Sequence, residues 1–259
     1  MIRRLLLLAA FAVAATASAE TLEQTFDRTL DLRPGTRVAI DNTNGSVIVR
    51  AWDQPRIHIR AVKHVESRDS DTAKQGLIDT RIEVTPSAGA LKIHTVFPRS
   101  KDGIFDLIAG TSIDSSVSYE IDVPRSLDLH VETVNGHIEA KGIRGAITLS
   151  TTNGRIEVTH CAGALDASTT NGRITAELLE LTPGQRVQLE TINGRIALAL
   201  PKTIAANIDA ETSHGSINTT LPVLANGSAH HALRGTINGG GRGEVRLRTT
   251  NGSIDIRGL

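Results

Sequence analysis

Aromatic residues make up only 2% of the 259-residue chain, with a single tryptophan, Trp52, and a single tyrosine, Tyr119. Sites for sugars or single-stranded nucleic acids commonly stack their ligands on aromatic rings, so an aromatic binding strip is not expected here. Cysteine is nearly absent too. Cys161 stands alone, which excludes an internal disulfide and points to a small buried hydrophobe. Nor is there an excess of positive charge, because 28 Lys and Arg balance 28 Asp and Glu. A nucleic-acid partner usually requires a basic stripe, so none is expected. There is no G-x-S-x-G, and no nucleophile lies beside an identifiable base.

The chain begins with a leader pattern. Met1 to Arg4 is basic, Leu5 to Ala15 is apolar, and Ala17-Ser18-Ala19 offers a small-residue cleavage signal. This pattern predicts a signal peptide over 1–19, since the apolar run is too short to span a bilayer of ~30 Å as a helix. Loss of Arg3 and Arg4 would leave 26 basic and 28 acidic residues, a net charge of −2. Glu20, not a cysteine, stands immediately after the expected cleavage point and no apolar tail closes the chain, so a soluble product in the periplasm or outside the cell is expected.

Residues 20–126 are expected to form an N-terminal β region continuous with the repeats that begin at 127. Val38 and Ile40 alternate before Asn44-Gly45, and Val47 and Val49 after it. Asn-Gly is a turn signal, read here through its tolerance of positive φ. A short helix is expected near 70–78, capped by Ser70 or Asp71, with Ala73, Leu77 and Ile78 on its apolar side. Strands are expected at 81–86, 90–98 and 116–124, with 99–116 as a loop.

From 127 to 259 one phrase, Thr-x-Asn-Gly-x-Ile, dominates. It reads TVNGHI, TTNGRI, TTNGRI, TINGRI, TSHGSI, a degenerate ALRGTI, and TTNGSI. Its corners are Asn135-Gly136, Asn153-Gly154, Asn171-Gly172, Asn193-Gly194, His214-Gly215 and Asn251-Gly252, with Arg234-Gly235 the weakest copy. A period near 20 residues marks stacked supersecondary units. Threonine and isoleucine are five positions apart, an odd number, so on one straight strand they would face opposite ways. Both belong to apolar alternations, and the chain must therefore bend at Asn-Gly. A β-solenoid with a repeated corner satisfies this, and so does an antiparallel meander of hairpins. The repeated identity of the corner favours the all-β solenoid, in which asparagines would stack as an amide ladder.

The run YEIDVP followed by ETVNGHIEA, STTNGRIEV, STTNGRITA and ETINGRIALALP resembles the bacterial DUF4097 family of proposed adhesins, over most of the chain after Ile40. The resemblance implies a β-helix-like fold in an exported protein.

The residue after each corner glycine carries the most suggestive chemistry. His137, Arg155, Arg173 and Arg195 would form a column able to grip an anionic polymer or lipid headgroup. The ordinary alternative is a solvated face paired with Glu132, Glu157 or Glu190. His214 with His230-His231 is a weaker metal candidate, because adjacent histidines on a strand diverge. No metal, cofactor or catalytic site is assigned, since the carboxylates gather on no one face. The expected function is a non-catalytic, adhesin-like binding or scaffolding protein of the envelope, facing a protein, glycan or lipid surface. A carbohydrate-active β-helix enzyme is the alternative. Self-association is a third, through a last unit, TTNGSIDIRGL, that has no visible cap.

Overall fold

The computed structural model describes residues 20–98 and 113–259, except 34, 183, 230 and 242. The expected leader and most of the expected loop at 99–116 lie outside these residues. In chain order the first strands are β1 (Glu20–Asp31), β2 (Arg37–Asp41), β3 (Val47–Trp52) and β4 (Arg56–Ser67). Helix α1 (Ser70–Asp79) precedes β5 (Arg81–Ser87), β6 (Ala90–Val96) and β7 (Asp114–Pro124). The repeats supply β8 (Asp128–Asn135), β9 (Ile138–Lys141), β10 (Ile147–Asn153), β11 (Ile156–Ala162), β12 (Leu165–Asn171) and β13 (Ile174–Glu180). They continue as β14 (Arg186–Asn193), β15 (Ile196–Leu200), β16 (Ala206–His214) and β17 (Ile217–Thr219). The chain closes with β18 (Val223–Ala229), β19 (Ala232–Ile237), β20 (Gly243–Asn251) and β21 (Ile254–Gly258).

These strands build two facing sheets. One runs β1-β4-β7-β3-β9-β11-β13-β15-β21-β17, the other β18-β19-β16-β20-β14-β12-β10-β8-β2-β6-β5. Each repeat therefore contributes one strand to each sheet, and equivalent residues stack in parallel register, as Ile156 does on Ile138 and Ile174. This is the solenoid, and the meander is excluded for the repeats. The parity expectation holds as well: Ile147, Leu149, Thr151, Ile156 and Val158 of one rung are all buried. Burial of each such isoleucine contributes roughly 1.5–3 kcal/mol.

The corner glycines differ from expectation in their physical reason. Gly45 has φ 114°, but Gly136, Gly154, Gly172 and Gly194 are not in the left-handed region. What excludes a side chain is proximity. A Cβ on Gly154 would lie 1.9 Å from the Gly136 carbonyl oxygen, and one on Gly172 would lie 2.0 Å from that of Gly154. Each glycine lets its rung settle on the carbonyl of the next. At the opposite corner Gly145 and Gly163 also sit tightly, a Cβ on them lying 2.1 and 2.2 Å from the carbonyls of Leu127 and Gly145.

Three further expectations are corrected. Rungs do not stack in chain order: the last unit, β20 and β21, lies between β14–β15 and β16–β17. The unit expected to end uncapped is thus interior, and the terminal rung is β16–β17. The degenerate phrase around Gly235 is not a corner but the middle of β19, which forms a hairpin with β18 and pairs antiparallel with β16. A Cβ at Gly235 would meet the Leu224 carbonyl at 2.4 Å, so the glycine serves strand packing. Asp114 and Ser115, expected as loop, belong to β7, because they pair with Glu66 and Val65 of β4.

The helix spans Ser70–Asp79, but its cap is Asp69, whose carboxylate accepts the Thr72 amide at 2.8 Å. Ala73 and Gly76 are buried while Ile78 is 68% exposed, so the expected apolar side is rotated. Gly76 brings the helix close to Val65, leaving only 3.0 Å for a Cβ. Cys161 is fully buried as expected, and burial raises its thiol pKa. Tyr119 is buried too, and its hydroxyl meets the Thr95 hydroxyl at 2.6 Å.

This packing yields two measurable expectations. In urea unfolding, Ile156→Ala or Ile174→Ala should cost about 2–5 kcal/mol, and Gly172→Ala should cost at least as much, despite adding only a methyl. Burial, opposed by the Thr95 hydrogen bond, raises the Tyr119 pKa to about 12. A raised acid favours its protonated form in the fold, so this stabilisation is complete below about pH 10 and is lost as pH rises towards the folded value. Ultraviolet absorbance titration of this single tyrosine should show no phenolate until that range, unless the protein unfolds first.

Candidate functional site

The Asn-Gly corners stack into a ridge running along the solenoid. Asn135 donates its amide to Asn44, Asn153 to Asn135, Asn171 to Asn153, Asn193 to Asn171 and Asn251 to Asn193, at 2.8–2.9 Å. The expected amide ladder is present, in spatial rather than chain order. Beneath it, the glycine N–H groups bond to the next rung's asparagine carbonyls, as Gly154 does to Asn171 at 3.1 Å. The inward threonines complete the corner: Thr151, Thr169, Thr191, Thr249 and Thr212 donate to glycine carbonyls of the adjoining rung at 2.8–3.1 Å. His214 takes the asparagine's place in the terminal rung, in register with Asn251. Gly215 still rests on the Gly252 carbonyl.

The two flanks of the ridge differ. On the side after the glycines, His137, Arg155, Arg173 and Arg195 occupy one column, because the isoleucines next to them are in register. Ser253 and then Ser216 extend the column, whereas Thr236 leaves it for the hairpin. Arg195 is paired with Asp255 at 2.8 Å and with Ser253 at 3.0 Å. Arg155 and Arg173 have no ion-pair partner among the described residues, and both line a cavity of about 350 Å³ with Glu157 and Thr175. Glu132 and Glu190, weighed as partners for the arginines, lie on the other sheet. Glu132 meets His130 at 3.1 Å, and Glu190 accepts from Gln188 at 3.3 Å. Burial, reinforced by the Arg155 guanidinium, lowers the His137 pKa. That imidazole therefore favours its neutral form and adds little charge to the column.

On the other flank lies an open groove of about 550 Å³. Its lining includes the hydroxyl pairs Ser150 and Thr152, Ser168 and Thr170, with Glu190 and Arg248 further along. Towards β16 this sheet face turns into ion pairs, with Arg248 between Asp209 and Glu211 at 3.9 and 3.8 Å.

Of the other histidine candidates, His231 bonds to the Gly215 carbonyl at 3.1 Å and His230 lies outside the described residues. Sequence reasoning missed a different cluster, in which ligand atoms of Asp41, His130 and Glu132 lie within 4.8 Å of one another. The signal was available. Aligning Thr43-Asn44-Gly45 with Val134-Asn135-Gly136 sets Asp41 against Glu132, the register observed.

The Toastrack DUF4097 family model matches residues 105–257. No curated protein matches the chain. Among solved structures, a proposed cell adhesion protein from Clostridium sporogenes is similar over 91% of this chain and 100% of its own, with 13% identity and a TM-score of 0.52. A proposed adhesin from Bacteroides fragilis aligns over 91% of this chain and 97% of its own, with 10% identity and a TM-score of 0.30. The first likeness is one of fold.

Because Arg155 and Arg173 are exposed and have no ion-pair partner among the described residues, the double variant Arg155→Ala, Arg173→Ala should leave stability, measured by urea unfolding, within about 0.5 kcal/mol of the parent. A larger change would mean that these side chains serve the fold.

Proposed function

For this chain, which belongs to the Toastrack DUF4097 family, we propose an exported, non-catalytic binding role at the cell envelope, with an anionic glycan as ligand. The observation that carries the reading is the pair of guanidiniums on adjacent rungs, Arg155 and Arg173, that have no ion-pair partner among the described residues. Rungs are spaced ~4.8 Å apart, comparable to one sugar unit of an extended polysaccharide. Guanidiniums accept carboxylates or phosphates through paired hydrogen bonds. Glu157 and Thr175 beside them suit sugar hydroxyls, and so do the serines and threonines of the groove across the ridge.

Charge and hydroxyl contacts would replace the aromatic platform that the chain lacks. A ligand held in this way extends along the solenoid and is read by charge repeated from rung to rung. The leader expected at 1–19 supports the envelope as the place of action. The cell-adhesion name of the Clostridium sporogenes protein with a similar fold agrees with a binding role rather than a carbohydrate-active enzyme.

The test is binding to immobilised polygalacturonate, with dextran as the neutral control and phosphatidylglycerol vesicles as the lipid competitor. Polygalacturonate should bind in a salt-sensitive manner and dextran should not. Each basic contact with an anionic surface contributes ~1 kcal/mol, so the Arg155→Ala, Arg173→Ala variant should bind roughly thirty-fold more weakly. Equal binding of dextran, or retention of affinity in the double variant, would count against the reading. Binding to the vesicles alone would reassign the ligand to lipid.

A further inference from the structure

On the outer face of the sheet opposite the one that carries the basic column, four side chains with metal-ligand chemistry meet across three neighbouring strands. His130 and Glu132 lie two apart on β8, and so project from the same face. Asp41 on β2 is the direct neighbour of Glu132, and His94 on β6 is the direct neighbour of Asp41. We propose that Asp41, His130 and Glu132 form a binding site for a divalent transition ion of the zinc type, with His94 completing the set.

The distances support such an ion. A tetrahedron with arms of 2.0–2.1 Å has edges of roughly 3.3 Å. His130 Nε2 stands 3.1 Å from Glu132 Oε1, and His94 Nδ1 stands 3.7 Å from Asp41 Oδ2. The three-residue core already lies within 4.8 Å throughout, and modest side-chain rotation closes it. The donor set selects the ion class. Imidazole with carboxylate suits zinc, copper or nickel, whereas calcium and magnesium take oxygen ligands only.

Two further observations bear on the site. His94 Nδ1 is buried and has no hydrogen-bond partner among the described residues, a state that a metal would relieve. The Lys92 ammonium lies 2.7 Å from Asp41 Oδ2, so a cation already stands at the carboxylate. Its side chain is 57% exposed on a flexible stem, and it can swing into solvent when a divalent ion arrives. Next to His130 the sheet is floored by Ala39, and a cavity of about 420 Å³ opens there beside Ala146 and Thr148. That space gives the ion an entry path and room for a water ligand. Asp41, Glu132 and Lys92 together leave one negative charge, and Arg37 and Asp128, which line the adjoining cavity, offset each other, so a divalent ion replacing the ammonium would turn the site neutral.

The site is separate from the basic column, and its test does not depend on glycan binding. The full chain is titrated with zinc chloride against a chromophoric chelator, with circular dichroism to check the fold of each variant. One ion per chain should bind. Asp41→Asn and His130→Ala should each weaken it at least tenfold with the fold intact. Lys92→Ala should tighten it, and His231→Ala, remote from the site, should change nothing. Failure of the parent to bind zinc, or equal binding in Asp41→Asn and His130→Ala, would overturn the assignment.

Discussion

The structure depends on one contact, the seating of each corner glycine on the glycine carbonyl of the adjoining rung. That carbonyl sits where a Cβ would be, and it also accepts the hydroxyl of the threonine three residues before the next glycine. Backbone amides and asparagine side chains then run along the same line. The isoleucine after the bend drops into the core, so one six-residue phrase satisfies the corner's polar groups and places two inward side chains. Buried polar groups are costly when unpaired, which explains why threonine rather than valine precedes the corner. Beyond the phrase, each rung needs only alternation.

This constraint divides the molecule into an invariant frame and a variable surface. Residues directed inward are held by packing with neighbours above and below. Residues directed outward are free to change from rung to rung, and they do so in zones. One flank of the ridge has the arginine column and the other has a hydroxyl groove that grades into ion pairs. Near the first rungs the histidines and carboxylates gather. A stack with parallel register converts sequence variation at one repeat position into a linear pattern on the surface, which suits extended or repetitive ligands.

Much of this was legible in the residues. The odd separation of Thr151 and Ile156 required a bend, and the repetition of Asn-Gly favoured stacking over hairpins. The reason for glycine was not legible, because the decisive contact joins residues 18 or more apart in the chain, and a turn glycine and a close-packed glycine look alike. Rung order was hidden for a related reason. TTNGSI fits any place in the stack, so nothing in Thr249 or Ile254 reveals that the final unit enters between two earlier ones. The hairpin at 223–237 did leave a trace, since its Arg234-Gly235 lacks the asparagine that the ladder needs. The arginine column was readable from spacing alone. The Asp41 and His130 cluster was not, because it requires the register between a pre-array strand and the first repeat.

Native-state hydrogen exchange at the amides of Gly154, Gly172 and Gly194 tests the central claim most directly. Each donates to an asparagine carbonyl of the next rung at 3.0–3.1 Å, and none faces solvent as a hairpin turn would. The account predicts that these three amides exchange only through opening of the whole stack, orders of magnitude more slowly than that of Gly89 in the β5–β6 turn. Exchange of the corner glycines at the rate of Gly89 would contradict it.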